Sequence, residues 1–301
     1  MTFKLGDNRY GKAETRLVRV DRGGSDGSAR HEIIDLNVST SLAGDLDATH
    51  LTGDNSGVLP TDTQKNTVYA FARDGVGEPE EFGLRLARHF VESAPTITKA
   101  RVHLEMYRWE RLTVGYPENP QPAHHSFARA AGTRTATVTY DGNTAWVVSG
   151  VADVTLLNTT DSEFHGYQKD RYTTLAETTD RILATAVSAR WRHGGNTDRA
   201  GTDWAASFRR AHMHLLEAFA DTHSLSLQQT LYAMGERVLK HGDELVEVRL
   251  ALPNKHHFLV DLSPFQLDNP GEVFHAADRP YGLIEGTVLR DGAPEPGLAW
   301  W

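Results

Sequence analysis

Residues 203–250, DWAASFRRAHMHLLEAFADTHSLSLQQTLYAMGERVLKHGDELVEVRL, decide the fold class. Trp204, Phe208, Ala211, Leu215 and Phe219 recur at steps of four, three, four and four, which predicts an amphipathic helix over 203–220. Leu227, Leu231, Met234 and Val238 repeat that spacing over 226–240, where Ser226-x-x-Gln229 has the form of a capping box. The period then changes from helical to alternating. Val246, Val248 and Leu250 are separated by Glu247 and Arg249, the pattern of a strand with one buried face. A helix pair followed by a strand is thus written into one continuous stretch.

Working outward, strands are expected at 144–157 and 182–191 before these helices, and at 258–262 after them. The first half of the chain carries the same order. Residues 16–20 are β-branched and apolar, and Ile34, Leu36 and Val38 alternate with Asp35 and Asn37. A Gly/Ser-rich hairpin loop, 23–28, would join these two strands, and a polar segment follows at 44–60. Thr61-Asp62-Thr63-Gln64 reads as a capping box that opens a helix bearing Val68, Phe71 and Ala72. The next helix, 78–93, has Pro79 in its first turn and Phe82, Leu86, His89 and Phe90 on one face. Val102, Leu104 and Met106 mark a strand, and 126–140 another after a Pro-rich turn at 117–122. The order strand-strand-helix-helix-strand-strand therefore occurs twice, as a repeat of architecture rather than of residues. The class this implies is α+β, with antiparallel sheets and helix pairs on one face. Open sheet edges are commonly paired with another subunit, so an oligomer is expected.

Composition narrows the function classes. The chain has 301 residues, 39% hydrophobic and 24% charged, enough to bury full cores in about two domains. Its formal net charge of −9 argues against nucleic-acid or anionic-membrane binding, which need a basic face. With no cysteine, disulfides, thiolate nucleophiles, Cys-zinc sites and iron–sulfur clusters are excluded. The most apolar run, 146–157, is interrupted by Ser149, Gly150, Asp153 and Thr155 and is too short to span a bilayer. The opening MTFKLGDNRY lacks a signal-peptide core, and GLAWW is not a peroxisomal tripeptide, so a cytoplasmic location is expected. Fifteen histidines raise the question of a metal. His212 and His214 do not share a helix face, no His-Glu-x-x-His occurs, and carboxylates do not flank His124-His125 or His256-His257 at ligand spacing. No metal site is therefore expected. The glycines at 23–27 are not followed by a helix pattern, which argues against a phosphate loop.

The segment 154–181, VTLLNTTDSEFHGYQKDRYTTLAETTDR, is polar, aromatic and Thr-rich between two predicted strands. Thr159, Thr160, Ser162, Phe164, Tyr167, Tyr172, Leu175 and Arg181 fall at the spacing of the urate oxidase (uricase) signature, in which one free position precedes the Phe and two follow it. The chain departs from the pattern at Val154, where the family usually has Leu, and at Asn158, where it usually has Lys. The resemblance runs from about Tyr10 to Leu289. It includes Tyr10-Gly11-Lys12, Gly53-Asp54-Asn55-Ser56, Thr61-Asp62, Lys65-Asn66-Thr67, Leu227-Gln228-Gln229-Thr230-Leu231-Tyr232 and Pro253-Asn254-Lys255-His256.

What the resemblance implies is a pair of tandem T-fold domains, here 1–139 and 140–301, assembling as a homotetramer into a tunnel-shaped barrel with active sites at subunit interfaces. It implies a cofactor-free oxidase that turns urate, dioxygen and water into 5-hydroxyisourate and hydrogen peroxide. Lys12, Thr61 and His256 resemble the family's proton relay. Thr61, Asp62, Phe164, Arg181, Leu227, Gln228 and Asn254 would bind urate, with Thr61 and Asn254 also flanking the dioxygen or water pocket. Lys12, Thr61 and Asp62 would come from one subunit and the others from its neighbour. The residue types suit those roles. Arg181 offers a planar fork, Gln228 a donor and an acceptor for the opposite edge of the purine, and Phe164 a stacking face. Helix starts at Thr61 and Ser226 would present backbone N–H groups to an anion. Two other readings stay open: a non-catalytic purine or pterin binder of the same fold, and a pteridine hydrolase, which the absence of cysteine disfavours.

Overall fold

The computed structural model describes residues 3–23, 30–195 and 201–301, and of His124 the backbone only. Of the hairpin loop expected at 23–28, residues 24–28 lie outside the described residues. The chain divides into two compact units. One comprises Met1–Gly150, Arg192–Ala206 and Pro294–Trp301, and the other Val151–Trp191 and Ser207–Ala293.

In the first unit β1 (Thr15–Asp21), β2 (Glu32–Gly44), β3 (Ile97–Val114) and β4 (Gln121–Tyr140) lie side by side in chain order. All three pairings are antiparallel, with Leu17 opposite Leu36, Val38 opposite Leu104, and Val102 opposite Val138. A short helix α1 (Asp47–Leu51) sits in the polar stretch after β2, followed by α2 (Thr61–Arg73) and α3 (Pro79–Ser93). Burial follows the alternation seen in the sequence: Ala100, Val102 and Leu104 face inward on β3. Phe82, Leu86 and Phe90 of α3 join them in one core with Val68 of α2 and Val138 of β4. Close approach of α3 depends on Gly83, whose missing Cβ would stand 2.8 Å from Val138 and 3.0 Å from Leu104. Within this core region a carboxylate is also buried. Glu80 pairs with Arg134 at 2.7 Å and accepts from Ser149 Oγ at 2.6 Å. Burial pushes the Glu80 carboxyl up from its ordinary value, and the Arg134 charge opposes that shift.

The second unit takes most of β5 (Ala145–Asn158), β6 (Leu183–His193), α4 (Trp204–Asp221) and α5 (Leu227–His241), with β7 (Leu245–Asn254) and β10 (Gly282–Leu289). Its strands follow the order β5-β6-β7-β10. Leu215, Phe219, Leu231, Met234 and Val238 from the helices pack on Leu183, Val187, Trp191, Val248 and Leu252 from the strands. A separate two-stranded sheet is made by β8 (His257–Leu259) and β9 (Phe274–Ala276).

Three expectations are corrected by these elements. Residues 258–262 are not the last strand of the second sheet; that place is taken by β10, antiparallel to β7 with Val288 opposite Val248. Two glycines hide β10 in the sequence. At Gly286 the space of the absent side chain is filled by Leu231 of α5, whose Cδ2 lies 2.8 Å from where a Cβ would be. The polar segment 44–60 contains α1, too short and too polar to announce itself by period. Thr61 does not cap α2: the N-cap is Pro60, no side-chain cap bond forms, and Thr61 is the first helical residue. The reason is the buried Gln64, whose amide turns inward to Thr40 and Leu59 instead of back to the cap. Among the described residues no helix is long and apolar enough to cross a membrane.

Gly235 of α5 would place a Cβ 2.6 Å from Val288 Cγ2. Gly235→Ala is therefore expected to lower the thermal unfolding midpoint through about 1–3 kcal/mol of overpacking. Adding Val288→Ala should recover part of the loss, so that the double variant is more stable than the sum of the single effects requires. Calorimetry on the four chains checks this, and strictly additive losses would remove β10 from beneath α5.

Candidate active site

In the second unit the segment between β5 and β6 folds as an irregular loop pinned by paired backbone bonds. Phe164 and Thr178 exchange both of theirs, at 2.8 and 3.1 Å. On the other side Glu163 N–H donates to the Ser224 carbonyl at 2.7 Å, and Ser224 N–H donates to the Asp161 carbonyl at 2.8 Å. Asp161 takes a left-handed conformation (φ 57°), which a short polar side chain tolerates, and the chain there turns into the loop. Phe164 ends half-buried, stacked on Tyr167 with ring centres 4.9 Å apart and planes 16° apart.

Arg181 crosses the same ring: its guanidinium carbon lies 5.3 Å from the Phe164 centroid. Its Nε donates to the hydroxyl of the fully buried Ser162 at 3.3 Å. Among the described residues no carboxylate forms an ion pair with Arg181. Burial lowers its pKa from the ordinary value, yet a guanidinium remains a cation at any physiological pH. A half-buried cation without a counter-ion is an unfavourable arrangement that an anion can relieve.

A cavity of about 520 Å³ opens beside it, walled by Phe164, Arg181, Ile182, Asn254, His256 and Phe258 among others. Asn254 is the last residue of β7, held opposite Gly282 of β10. His256 follows on a turn fixed at both ends, by Lys255 N–H on the Ala184 carbonyl at 2.8 Å and by Ala277 N–H on the His256 carbonyl at 2.9 Å. Its ring stacks on Phe258, 5.7 Å between centres. Leu227 and Gln228 open α5, Leu227 buried and Gln228 exposed. Here half of the expected capping box forms, and the reciprocal bond falls one residue ahead of the cap. Ser226 Oγ accepts from Gln229 N–H at 3.1 Å, and the Gln229 side chain accepts from Leu225 N–H at 2.7 Å.

The remaining candidates belong to the first unit. Lys12 and Thr40 are tied by Thr40 N–H on the Lys12 carbonyl (2.9 Å) and Lys12 N–H on Thr40 Oγ1 (3.2 Å). That hydroxyl donates in turn to the Gln64 amide oxygen at 2.6 Å. The Tyr10 hydroxyl both donates to and accepts from the backbone of Leu59, just before α2. The segment carrying Lys12, ahead of β1, and the helix start carrying Thr61 and Asp62 are thereby tied together. Hydrogen bonding from Lys65 holds the Asp62 carboxyl below its ordinary value, with a smaller contribution from the Lys12 charge.

The structure thus gathers Phe164, Arg181, Asn254 and His256 on one cavity and Lys12, Thr61 and Asp62 on a separate cluster. Sequence reasoning missed Thr40, Gln64, Ile182 and Phe258, which hold or wall these groups. Only Gln64 carried a signal, and it was read as a cap. Of the histidine clusters, His214 stacks on His241 (4.0 Å between centres) and bonds Glu217. Among the described residues no three His, Asp or Glu side chains converge as a metal-ligand set.

The comparisons with known proteins agree along the whole chain. The family model described as uricase matches residues 8–139 and again 147–285. The chain belongs to the uricase family. It is 51% identical over 297 residues to the uricase of Arthrobacter globiformis, covering 98% of this chain and 93% of that one. To the uricase of Dictyostelium discoideum it is 37% identical over 289 residues, covering 95% and 97%. The crystal structure of the Arthrobacter globiformis uricase superposes with a TM-score of 0.90 at 50% identity, covering 100% of this chain and 99% of that one. The fold is accordingly the α+β uricase fold, built as two tandem family repeats.

Gly11 is what lets the segment carrying Lys12 approach β2: a Cβ there would fall 1.8 Å from the Thr40 carbonyl oxygen. Gly11→Ala is expected to push that segment away from β2. Amide exchange should then accelerate at Thr40 and Leu42, whose N–H groups bond the Lys12 and Tyr10 carbonyls. Unchanged protection at both amides would show that the close approach is dispensable.

Proposed function

We propose that the chain is a urate oxidase whose site pairs the Arg181 cavity with the Lys12–Thr61 cluster. The observation that carries this reading is the half-buried Arg181 guanidinium, with no ion pair among the described residues, lying over Phe164 at the edge of a cavity of about 520 Å³, ample for a purine. Family membership over both halves of the chain supports it. Residues 1–139 and 140–301 serve as the two T-fold domains, in line with family matches to 8–139 and 147–285.

Urate is a flat anion with hydrogen-bonding edges. The Arg181 fork pairs with a carbonyl and a ring nitrogen on one edge, and Gln228 offers a donor and an acceptor to the other. Phe164 stacks on the ring, Leu227 bounds its plane, and Asp62 contributes through its backbone. Removal of a second proton makes urate a strong electron donor. Lys12 takes this proton through the Thr61 hydroxyl, and His256 shuttles it and orients water. A positioned general base of this kind contributes about 10²–10⁴-fold. Two electrons leave the purine for dioxygen, water adds its oxygen to the ring, and the protons complete hydrogen peroxide. Urate, O₂ and H₂O thereby become 5-hydroxyisourate and H₂O₂ with all atoms accounted for. Thr61 and Asn254 flank the pocket for dioxygen, then water. No cofactor is required, because the dianion itself is the reductant. Lys12, Thr61 and Asp62 of one subunit meet the remaining residues of its neighbour in a homotetramer with a central tunnel. A binder without chemistry is not favoured, since the relatives that cover nearly the whole chain are themselves uricases.

The decisive experiment is oxygen uptake by the chelator-treated chain on addition of urate. One O₂ consumed and one H₂O₂ formed per urate is expected. A chain that binds urate but consumes no oxygen would convert the reading to that of a binder. Arg181→Lys keeps the charge and loses the fork. It should raise KM for urate about tenfold to a hundredfold, the loss of about 1.5–3 kcal/mol of charge-assisted hydrogen bonding. An unchanged KM would take Arg181 out of the site.

A further inference from the structure

The two residues that flank Phe164 occupy positions the uricase signature leaves free, and here they are Glu163 and His165. The Glu163 carboxylate lies between two imidazoles. Its Oε1 is 2.5 Å from His223 Nε2, and its Oε2 is 2.8 Å from His165 Nε2. His223 sits in the turn between α4 and α5, a few residues ahead of Leu227 and Gln228. Its other ring nitrogen, Nδ1, is 3.6 Å from the Asp161 carboxylate. A neutral imidazole would turn a bare lone pair toward one of these two carboxylates. The imidazolium presents a proton to each.

We propose that Glu163, gripped by His223 and His165, is a positioning residue that clamps the Phe164 loop to the start of α5 and so sets the spacing of Phe164 against Leu227 and Gln228. The inference rests on the urate oxidase reading above. The clamp joins the same two segments as the backbone bonds between Glu163, Ser224 and Asp161, but unlike them it depends on charge. The surrounding charges are mutually engaged: Glu177 pairs with Lys169, Asp180 accepts from Thr160, and Asp221 pairs with Arg237. Arg181 leans on Ser162 within the same loop. Asp161, Glu163, His165 and His223 are thus the ionisable groups that face one another in the clamp, and Glu163 with His223 is the pair whose titration opens it.

The sign follows from the partners. Hydrogen bonds from His223 and His165 hold the Glu163 carboxyl below its ordinary value. The hydrogen bond to Glu163 raises the His223 pKa above its ordinary value of 6.5. The clamp is intact at pH values above the lowered Glu163 pKa and below the raised His223 pKa. It weakens as pH rises through the latter, when the imidazolium loses its proton. The backbone bonds to Ser224 remain, but the side-chain hold on the spacing of Phe164 loosens, and substrate binding weakens while the chemical step in the bound complex is left in place.

The test combines kinetics on the full chain with a titration that needs no activity. In the wild type, KM for urate should rise on the order of two- to fivefold across a limb above pH 6.5, with kcat changed far less over the same limb. Glu163→Gln should show the raised KM already below that limb and no limb of its own. His223→Lys, a cation throughout, should abolish the limb without fixing KM high. The His223 ring-proton resonances of the wild type should titrate above 6.5, and those of Glu163→Gln nearer to it. A wild-type limb that survives unchanged in both variants, or a His223 titration that Glu163→Gln does not move, overturns the clamp. Should the wild type consume no urate, the urate reading fails separately, and the His223 titration still decides whether the clamp exists.

Discussion

The stacked Phe164 ring and the Arg181 cation of the second unit both depend on how one irregular loop is held. The stretch from Asp161 to Arg181 has neither helical nor alternating order, so no regular ladder fixes it. What fixes it is a set of backbone bonds on both sides of Phe164, to Thr178 within the loop and to Ser224 ahead of α5. A buried polar backbone must be paired, and here the partners are spread across segments far apart in sequence. The Phe164 ring, the Ser162 hydroxyl and the Arg181 guanidinium therefore take up one geometry together. Displacing any one of these bonds would shift the stacking face and the cation relative to each other.

That arrangement carries an electrostatic tension. The Arg181 cation is half desolvated and rests on an aromatic face and a hydroxyl, with no ion pair among the described residues. The cluster of the first unit works by different means. Tyr10, Thr40 and Gln64 spend their hydrogen bonds on backbone and on each other, which ties the segment carrying Lys12 to the start of α2. One half holds a half-buried cation over an aromatic face, the other two backbone segments braced by side-chain hydrogen bonds.

The two helix pairs were legible because amphipathic spacing is a property of consecutive residues. Alternation exposed Leu104 and Val102 as inward-facing in the same way, and Ser226 as the cap of α5 follows from local chemistry alone. Where a residue's role depended on a distant partner, the reading failed. Gln64 has the right spacing for a capping box with Thr61, yet the buried Thr40 hydroxyl, on a strand far back in the chain, competes for its amide and wins. β10 escaped notice because Leu231 of α5 fills the space that Gly286 leaves empty, so its pattern is completed by another element. The 258–262 run was apolar enough for a strand but was diverted into a small hairpin with β9 that walls the cavity.

By itself the sequence determined the α+β class, the doubled element order and, through the spacing of Thr159 to Arg181 and its companion motifs, the family, whose resemblance names the candidate site residues. Those are matters of residue type and of separation along the chain, which the sequence states directly. The tertiary structure alone decided which of those residues share a cavity, that Arg181 stands there without an ion pair among the described residues, and that Glu163 lies between His165 and His223. Such facts depend on partners brought together across many residues, and desolvation and pairing exist only once the intervening chain has folded.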